Sequence, residues 1–240
     1  MGRAALLCIV GAVALRLVIT GEFGNFVQQH MRIPITLAAV LLIGLGAVEV
    51  VGDLRDGAVD PESSRRPVGP TVGWLLGLPI IVLLLVAPAA LGAAAADRID
   101  PLVPAEPATN AAAVEPLDDS DGPVPLELYE FISRALWDGS GSLLDAEVEL
   151  EGLVVNDPDV DDGFRLTKFA VSCCAADGLP LQVMLRGLDT TYENDEWVRV
   201  VVQWRPPDDG VIDPEDFVEA DVISIEVVDD PPDDPYETPF

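Results

Sequence analysis

The 240-residue sequence is 50% hydrophobic with positive mean hydropathy, yet it carries a net charge of −29. Residues 1–96 hold six Arg and six acidic side chains, whereas residues 97–240 hold seven basic against thirty-six acidic. The first part excludes a fully soluble enzyme, and the field of the second repels polyanions and disfavours a nucleic-acid binder.

Three apolar stretches come first, at 4–20, 33–51 and 73–96. About twenty apolar residues cross the roughly 30 Å hydrocarbon core as a helix, so the second and third qualify and the first is short. Arg16 lies near the end of the first stretch and can snorkel to the interface. A cleaved signal peptide is the competing reading of that stretch, but Val-Ile-Thr-Gly offers no small-residue cleavage site. The expectation is three transmembrane helices. Gly44 and Gly46 in the second, and Gly73 and Gly77 in the third, allow close helix approach, although Gly and Ala are common in membrane helices generally. Arg3, Arg55, Arg65 and Arg66 share one side of this arrangement. That bias places the N-terminus in the cytoplasm and the acidic C-terminal part outside it, in a multi-pass protein of the lipid bilayer.

Residues 97–125 are rich in Pro, Ala and Asp with few large apolar groups, as in a poorly ordered tether. Leu128, Phe131, Ile132, Ala135 and Leu136 then recur at helical spacing, which predicts a short amphipathic helix ended by Asp138, Gly139 and Gly141. From there the pattern changes to period two. Val148, Leu150, Gly152 and Val154 alternate with Glu147, Glu149 and Glu151, which predicts a half-buried strand. Further strands are expected from Phe164 to about Cys174, over 181–186, over 197–204, and over 222–228 with Ile223, Ile225 and Val227 buried. Five short strands across 126–230, with Gly152 allowing a sharp bend, suit a small five-stranded barrel of the oligonucleotide/oligosaccharide-binding (OB) type, with a meander or open sheet as alternatives. Residues 231–240 read as a Pro/Asp-rich tail.

Of the three cysteines, Cys8 lies in the first apolar stretch, where a small apolar side chain is ordinary. The informative pair is Cys173 and Cys174 in Ser-Cys-Cys-Ala-Ala-Asp. Successive residues of a strand point to opposite faces, so both thiols can grip one ion only if the strand ends there, as Ala-Ala-Asp-Gly suggests. Three readings stay open: soft-metal ligation with Asp177 as third donor, a vicinal disulfide, or two small residues filling a core. The sole His, His30, lies in the first loop. The acidic runs 157–162 and 208–216 lack the Gly-centred calcium-loop pattern and read as solvated loops, with loose cation binding as the lesser alternative. No phosphate loop, zinc-type Cys/His spacing or Ser nucleophile with a nearby His occurs, so no enzyme activity and no cofactor are expected. An enzyme acting on envelope material is the weakest alternative. Only one lysine, Lys168, accompanies twelve arginines, a bias assigned to genome composition or a salt-rich habitat.

The segment Arg165-Leu-Thr-Lys-Phe-Ala-Val-Ser-Cys-Cys-Ala-Ala-Asp-Gly-Leu-Pro, followed by Asp195-Glu-Trp-Val-Arg-Val and Pro231-Pro-Asp-Asp-Pro-Tyr, resembles the YcgQ-like family of bacterial membrane proteins. Phe26-Val27 and the Gln-His-Met-Arg ahead of the second apolar stretch extend the resemblance over most of the chain. It implies a few membrane helices, a C-terminal domain of unknown function, and a role as accessory or regulatory subunit beside a separate multi-span permease. Cys173, Cys174 and Asp177 fall on the family's motif, whose role the resemblance does not assign. A metal-handling or thiol-redox module centred on the two cysteines is the alternative function.

Overall fold

The computed structural model describes residues 2–56, 91–106, 116–117, 120, 122–207, 216–229, 232 and 234–238. The chain divides into two compact units, Met1–Ala90 and Leu91–Phe240.

In the first unit, helix α1 (Gly2–Thr20) and helix α2 (Arg32–Asp56) are joined by two short 3-10 turns, Glu22–Asn25 and Gln29–Met31. The helices pack antiparallel at two glycines. A Cβ on Gly11 would meet Ile43 and the Ala39 carbonyl, and one on Gly46 would sit 2.5 Å from Cys8 Sγ. Gly46 thus makes the close approach expected of a small residue, while Gly44 faces open space. Ile33, Leu37, Val40, Leu41, Leu45 and Val48 stay exposed along α2. Among the described residues one helix, over Gln29–Gly52, is long and apolar enough to cross a membrane, and the apolar helix Ala4–Thr20 is shorter. The third expected span lies outside the described residues except for 91–96, which are built into the second unit.

That unit is a closed barrel. Its staves are β2 (Glu147–Val155), β3 (Gly163–Ala170), β4 (Leu179–Arg186), β5 (Trp197–Arg205) and β6 (Val218–Val228). Around the wall they run β2-β3-β4-β6-β5 and return to β2. Four contacts are antiparallel, and the β4–β6 contact is parallel. Strand β1 (Val124–Pro125) pairs parallel with the start of β2, and β7 (Tyr236–Glu237) lies parallel to the end of β3. The period-two pattern of β2 takes the expected phase, with Val148, Leu150 and Val154 in the core beside Leu166, Val183 and Val200.

Two glycines permit the curvature. A Cβ on Gly152 would lie 2.8 Å from the Thr167 carbonyl, where β3 closes on β2, and one on Gly163 would collide with the Leu185 carbonyl across the β3–β4 pair. The last stave departs from expectation. It begins at Val218, four residues early, and buries Val218 and Ala220, whereas Ile223 and Val227 are exposed. A bulge accounts for Ile223: Val201 pairs with Ser224 but Val202 with Val222, so Ile223 is an extra residue, whereas Ile225, opposite Val200, packs against the core as expected and Val227 lies opposite the buried Val198. Beyond Asp221 the strand has no β4 partner.

Helix α4 (Leu128–Trp137) packs on β3, β4 and β6 through Leu128, Phe131, Ile132 and Ala135, the face expected from the sequence. Its N-terminus is held by Glu237, whose carboxylate accepts the Leu128 and Tyr129 N–H groups at 2.8 and 2.9 Å. A second, smaller core covers the outside of β2 and β3. There the short helix α3 (Ala93–Ala96) and Tyr236 pack on Leu153, Val155, Phe169 and Val171.

The stretch expected to be a tether is therefore attached where it is described. Arg165 binds Asp97 at 2.6 Å, the Leu102 N–H donates to the Pro180 carbonyl at 2.7 Å, and Trp137 Nε1 donates to the Pro104 carbonyl at 2.9 Å. The segment read as a tail supplies β7, in which Tyr236 and Glu237 are both buried.

Candidate metal centre

Strand β3 stops at Ala170, four residues before the expected end, and the chain turns at once. Val171 N–H donates to the Glu237 carbonyl at 3.0 Å, which fixes the start of the turn. Ser172 and Cys173 donate their N–H groups to the Asp177 carboxylate at 2.9 and 3.0 Å, and Cys174 N–H reaches the same carboxylate at 3.5 Å. A 3-10 turn over Ala175–Asp177 completes the reversal, and Cys174 and Asp177 cap one another. The strand has ended before both cysteines, so the rule that successive side chains oppose each other no longer applies.

As a result Cys173 Sγ, Cys174 Sγ and a carboxylate oxygen of Asp177 all lie within 4.8 Å of one another. Cys173 and Asp177 are exposed, Cys174 is half-buried, and both thiols are free. The three residues singled out from sequence are thus brought together. Hydrogen bonding to Asp177, reinforced by Cys174, pushes the Cys173 thiol up to about 11. The same bond from Cys173, with three backbone N–H groups, holds the Asp177 carboxyl below the usual range.

This is a compact, outward-facing set of two sulfurs and one oxygen. A tetrahedral zinc ion with Zn–S bonds of about 2.3 Å needs its sulfurs about 3.8 Å apart, so small side-chain adjustments suffice. Three protein donors leave one position for an exchangeable group, and two thiolates favour a soft or borderline ion such as Zn²⁺ or Cu⁺ over Mg²⁺ or Ca²⁺. Binding displaces thiol protons, so affinity falls in acid.

The acidic loop 157–162 is occupied otherwise: Asp157 lies 3.4 Å from Arg165 and Asp162 lies 3.3 Å from Arg186. Residues 208–215 of the other acidic run lie outside the described residues.

One polar cluster was not anticipated. Lys168 is buried, and its Nζ lies 2.8 Å from Glu127 and 3.9 Å from Glu237. Burial, the largest influence, raises the Glu237 carboxyl to about 7 despite the Tyr129 N–H and Lys168 nearby. The available signal was the single lysine itself, set at an inward position of an apolar strand. It forms a structural ion pair with Glu127, beside Glu237.

A closed barrel carrying this turn, in a chain with an apolar helix of membrane-spanning length, defines a barrel domain with a candidate metal centre. Residues 127–236 match the DUF1980 C-terminal domain, an uncharacterised-domain family. The match takes in the helix, all five staves and the Cys173–Cys174–Asp177 turn. No curated protein and no solved structure matches the chain.

Proposed function

We propose that the protein is a membrane-anchored metal-handling module whose barrel presents a thiolate-carboxylate site for a soft ion, and that it acts beside a multi-span permease. The convergence of Cys173, Cys174 and Asp177 within 4.8 Å carries this reading. The open fourth position and the exposure of the donors favour capture and transfer over permanent structural storage. The strand order, with its single parallel contact, supports the OB-like description.

An oligonucleotide is a poor ligand for such a barrel. Asp97 and Leu102 already contact β3 and β4 through Arg165 and the Pro180 carbonyl, and the flanking loop 157–162 is acidic. The permease partner, the YcgQ-like assignment and the extracytoplasmic placement rest on the sequence resemblance and the arginine distribution. A specific observation favours the accessory-subunit part: the exposed apolar face of α2 needs lipid or neighbouring helices.

Metal analysis of the purified full-length chain, together with mass spectrometry of thiol alkylation, tests the proposal. We expect one ion per chain, protection of both thiols when it is bound, and loss of the ion in Cys173→Ser. Metal-free cysteines that no added Zn²⁺ or Cu⁺ protects would reject it. Affinity purification in mild detergent tests the partner, and repeated recovery of the chain alone would remove the permease from the account.

A further inference from the structure

The turn that carries the three donors is held at both ends by segments distant in sequence. At its start Val171 N–H binds the carbonyl of Glu237 in β7 at 3.0 Å. At its end Gly178 is buried beneath Leu91: a Cβ added there would collide with Leu91 Cδ1 and lie 3.5 Å from Val171 Cγ2. Leu91 N–H in turn reaches Tyr236 Oη at 3.4 Å, and Ala93 N–H donates to Asp195 Oδ1 at 2.6 Å. Ala93 and Ala96 bury themselves over Leu153, Val155 and Phe169. Residues 91–96 thus form a docked strap whose first side chain supports the residue next to Asp177. In sequence the strap follows directly on the apolar run 73–90, so it is the covalent connection between that run and the donors.

We infer that docking of residues 91–96 positions the metal turn, with Leu91 a positioning residue, so that ion binding and strap docking strengthen one another. The inference rests on the metal reading above and adds its regulation. Undocking removes the cover from Gly178 and Val171, leaving the donors aligned chiefly by the hydrogen bonds to Asp177. An exposed set of three donors gains affinity from being held in place before the ion arrives. Linkage makes the effect reciprocal: whatever factor docking adds to the affinity, the ion adds to the docking equilibrium. A pull on the strap then releases the ion, and loading the ion tightens the strap.

The test uses the full-length chain in detergent with Zn²⁺ alone as probe. Affinity is measured by chelator competition for the wild type, Leu91→Ala and Trp137→Phe, and amide hydrogen exchange of residues 91–96 is followed with and without Zn²⁺. Trp137 donates to the Pro104 carbonyl rather than to any residue of 91–96 or of the turn, and serves as the control. Leu91→Ala should weaken Zn²⁺ binding about tenfold, Trp137→Phe should stay within about twofold of wild type, and Zn²⁺ should slow exchange across 91–96. If Leu91→Ala does not fold, the exchange result on the wild type decides. Normal Zn²⁺ binding with no added protection of 91–96, or with unchanged affinity in a folded Leu91→Ala, overturns the inference and leaves the metal reading standing. Failure of the wild type to bind Zn²⁺ overturns both.

Discussion

Replacing Glu237 by Ala isolates the interaction that ties the end of the chain to the barrel. Its carboxylate accepts the N–H groups of Leu128 and Tyr129, the first two residues of α4, and Leu128 is fully buried. An unsatisfied buried N–H costs about 1–3 kcal/mol, and loss of a cap on the half-buried Tyr129 N–H costs about 1 kcal/mol more. Lys168 keeps Glu127 at 2.8 Å, so little is added there. The expected loss is about 3 kcal/mol, or about 6–12 °C in Tm for a unit of this size. The pH dependence is a second signature. Glu237 is raised from 4.5 to about 7, so between those values the folded unit holds a proton that the unfolded chain releases. Its contribution to stability therefore falls as pH rises from about 4.5 to about 7 and is level on either side. Glu237→Ala should be most damaging at about pH 4.5 and below, and the gap to wild type should narrow by pH 8. Urea unfolding of the full-length chain, followed by tryptophan fluorescence, measures both. A loss below about 1 kcal/mol at pH 5, or a gap that widens with pH, would refute this picture of the cluster.

Gly163→Ala should cost at least about 2 kcal/mol, because the new methyl meets the Leu185 carbonyl and the β3–β4 pair must part. Gly139→Ala, where the added methyl faces open space, should stay within about 0.5 kcal/mol in the same denaturant assay. Arg165→Ala removes the Asp97 and Asp157 contacts and the stacking on Phe217, at a ring-centroid distance of 5.8 Å. Asp97 is half exposed, so the stability loss should be about 1 kcal/mol. Limited proteolysis should nonetheless cut faster within 97–106, and an unchanged cleavage pattern would show that this contact does not hold the segment. Asp177→Asn should weaken Zn²⁺ binding at least about tenfold, since the ion loses an anionic donor. Equal affinity in a titration would remove Asp177 from the centre.

The barrel was legible where the chain repeats a simple rule. Val148 to Val154 alternate because one face of β2 meets the core, and Leu128, Phe131 and Ile132 recur at helical spacing because α4 lies flat on the staves. Legibility failed where a single residue breaks the rule. Ile223 sits in a bulge, so counting by twos back from Ile225 puts it on the wrong face. It failed again where backbone contacts, rather than side-chain pattern, attach a segment. Residues 97–104 look like a tether because Pro, Ala and Asp carry no periodicity, yet the Leu102 amide and the Pro104 carbonyl find partners on the barrel. Ala93 and Ala96 read as the end of a lipid-facing run because small apolar side chains suit both a bilayer and a tight protein contact. The candidate centre was readable from local chemistry: the Ser-Cys-Cys-Ala-Ala-Asp-Gly run ends a strand, and the ending brings the donors together. Its supports, Leu91, Tyr236 and Glu237, lie dozens of residues away and left no local mark.

The most direct measurement is X-ray absorption at the zinc edge of the Zn²⁺-loaded full-length chain, compared with Cys173→Ser and Cys174→Ser. Two sulfur neighbours at about 2.3 Å with oxygen at about 2.0–2.2 Å are expected in the wild type, falling to one sulfur in either variant. A zinc shell built of nitrogen and oxygen alone, unchanged by both substitutions, would contradict the assignment of this turn as a metal centre.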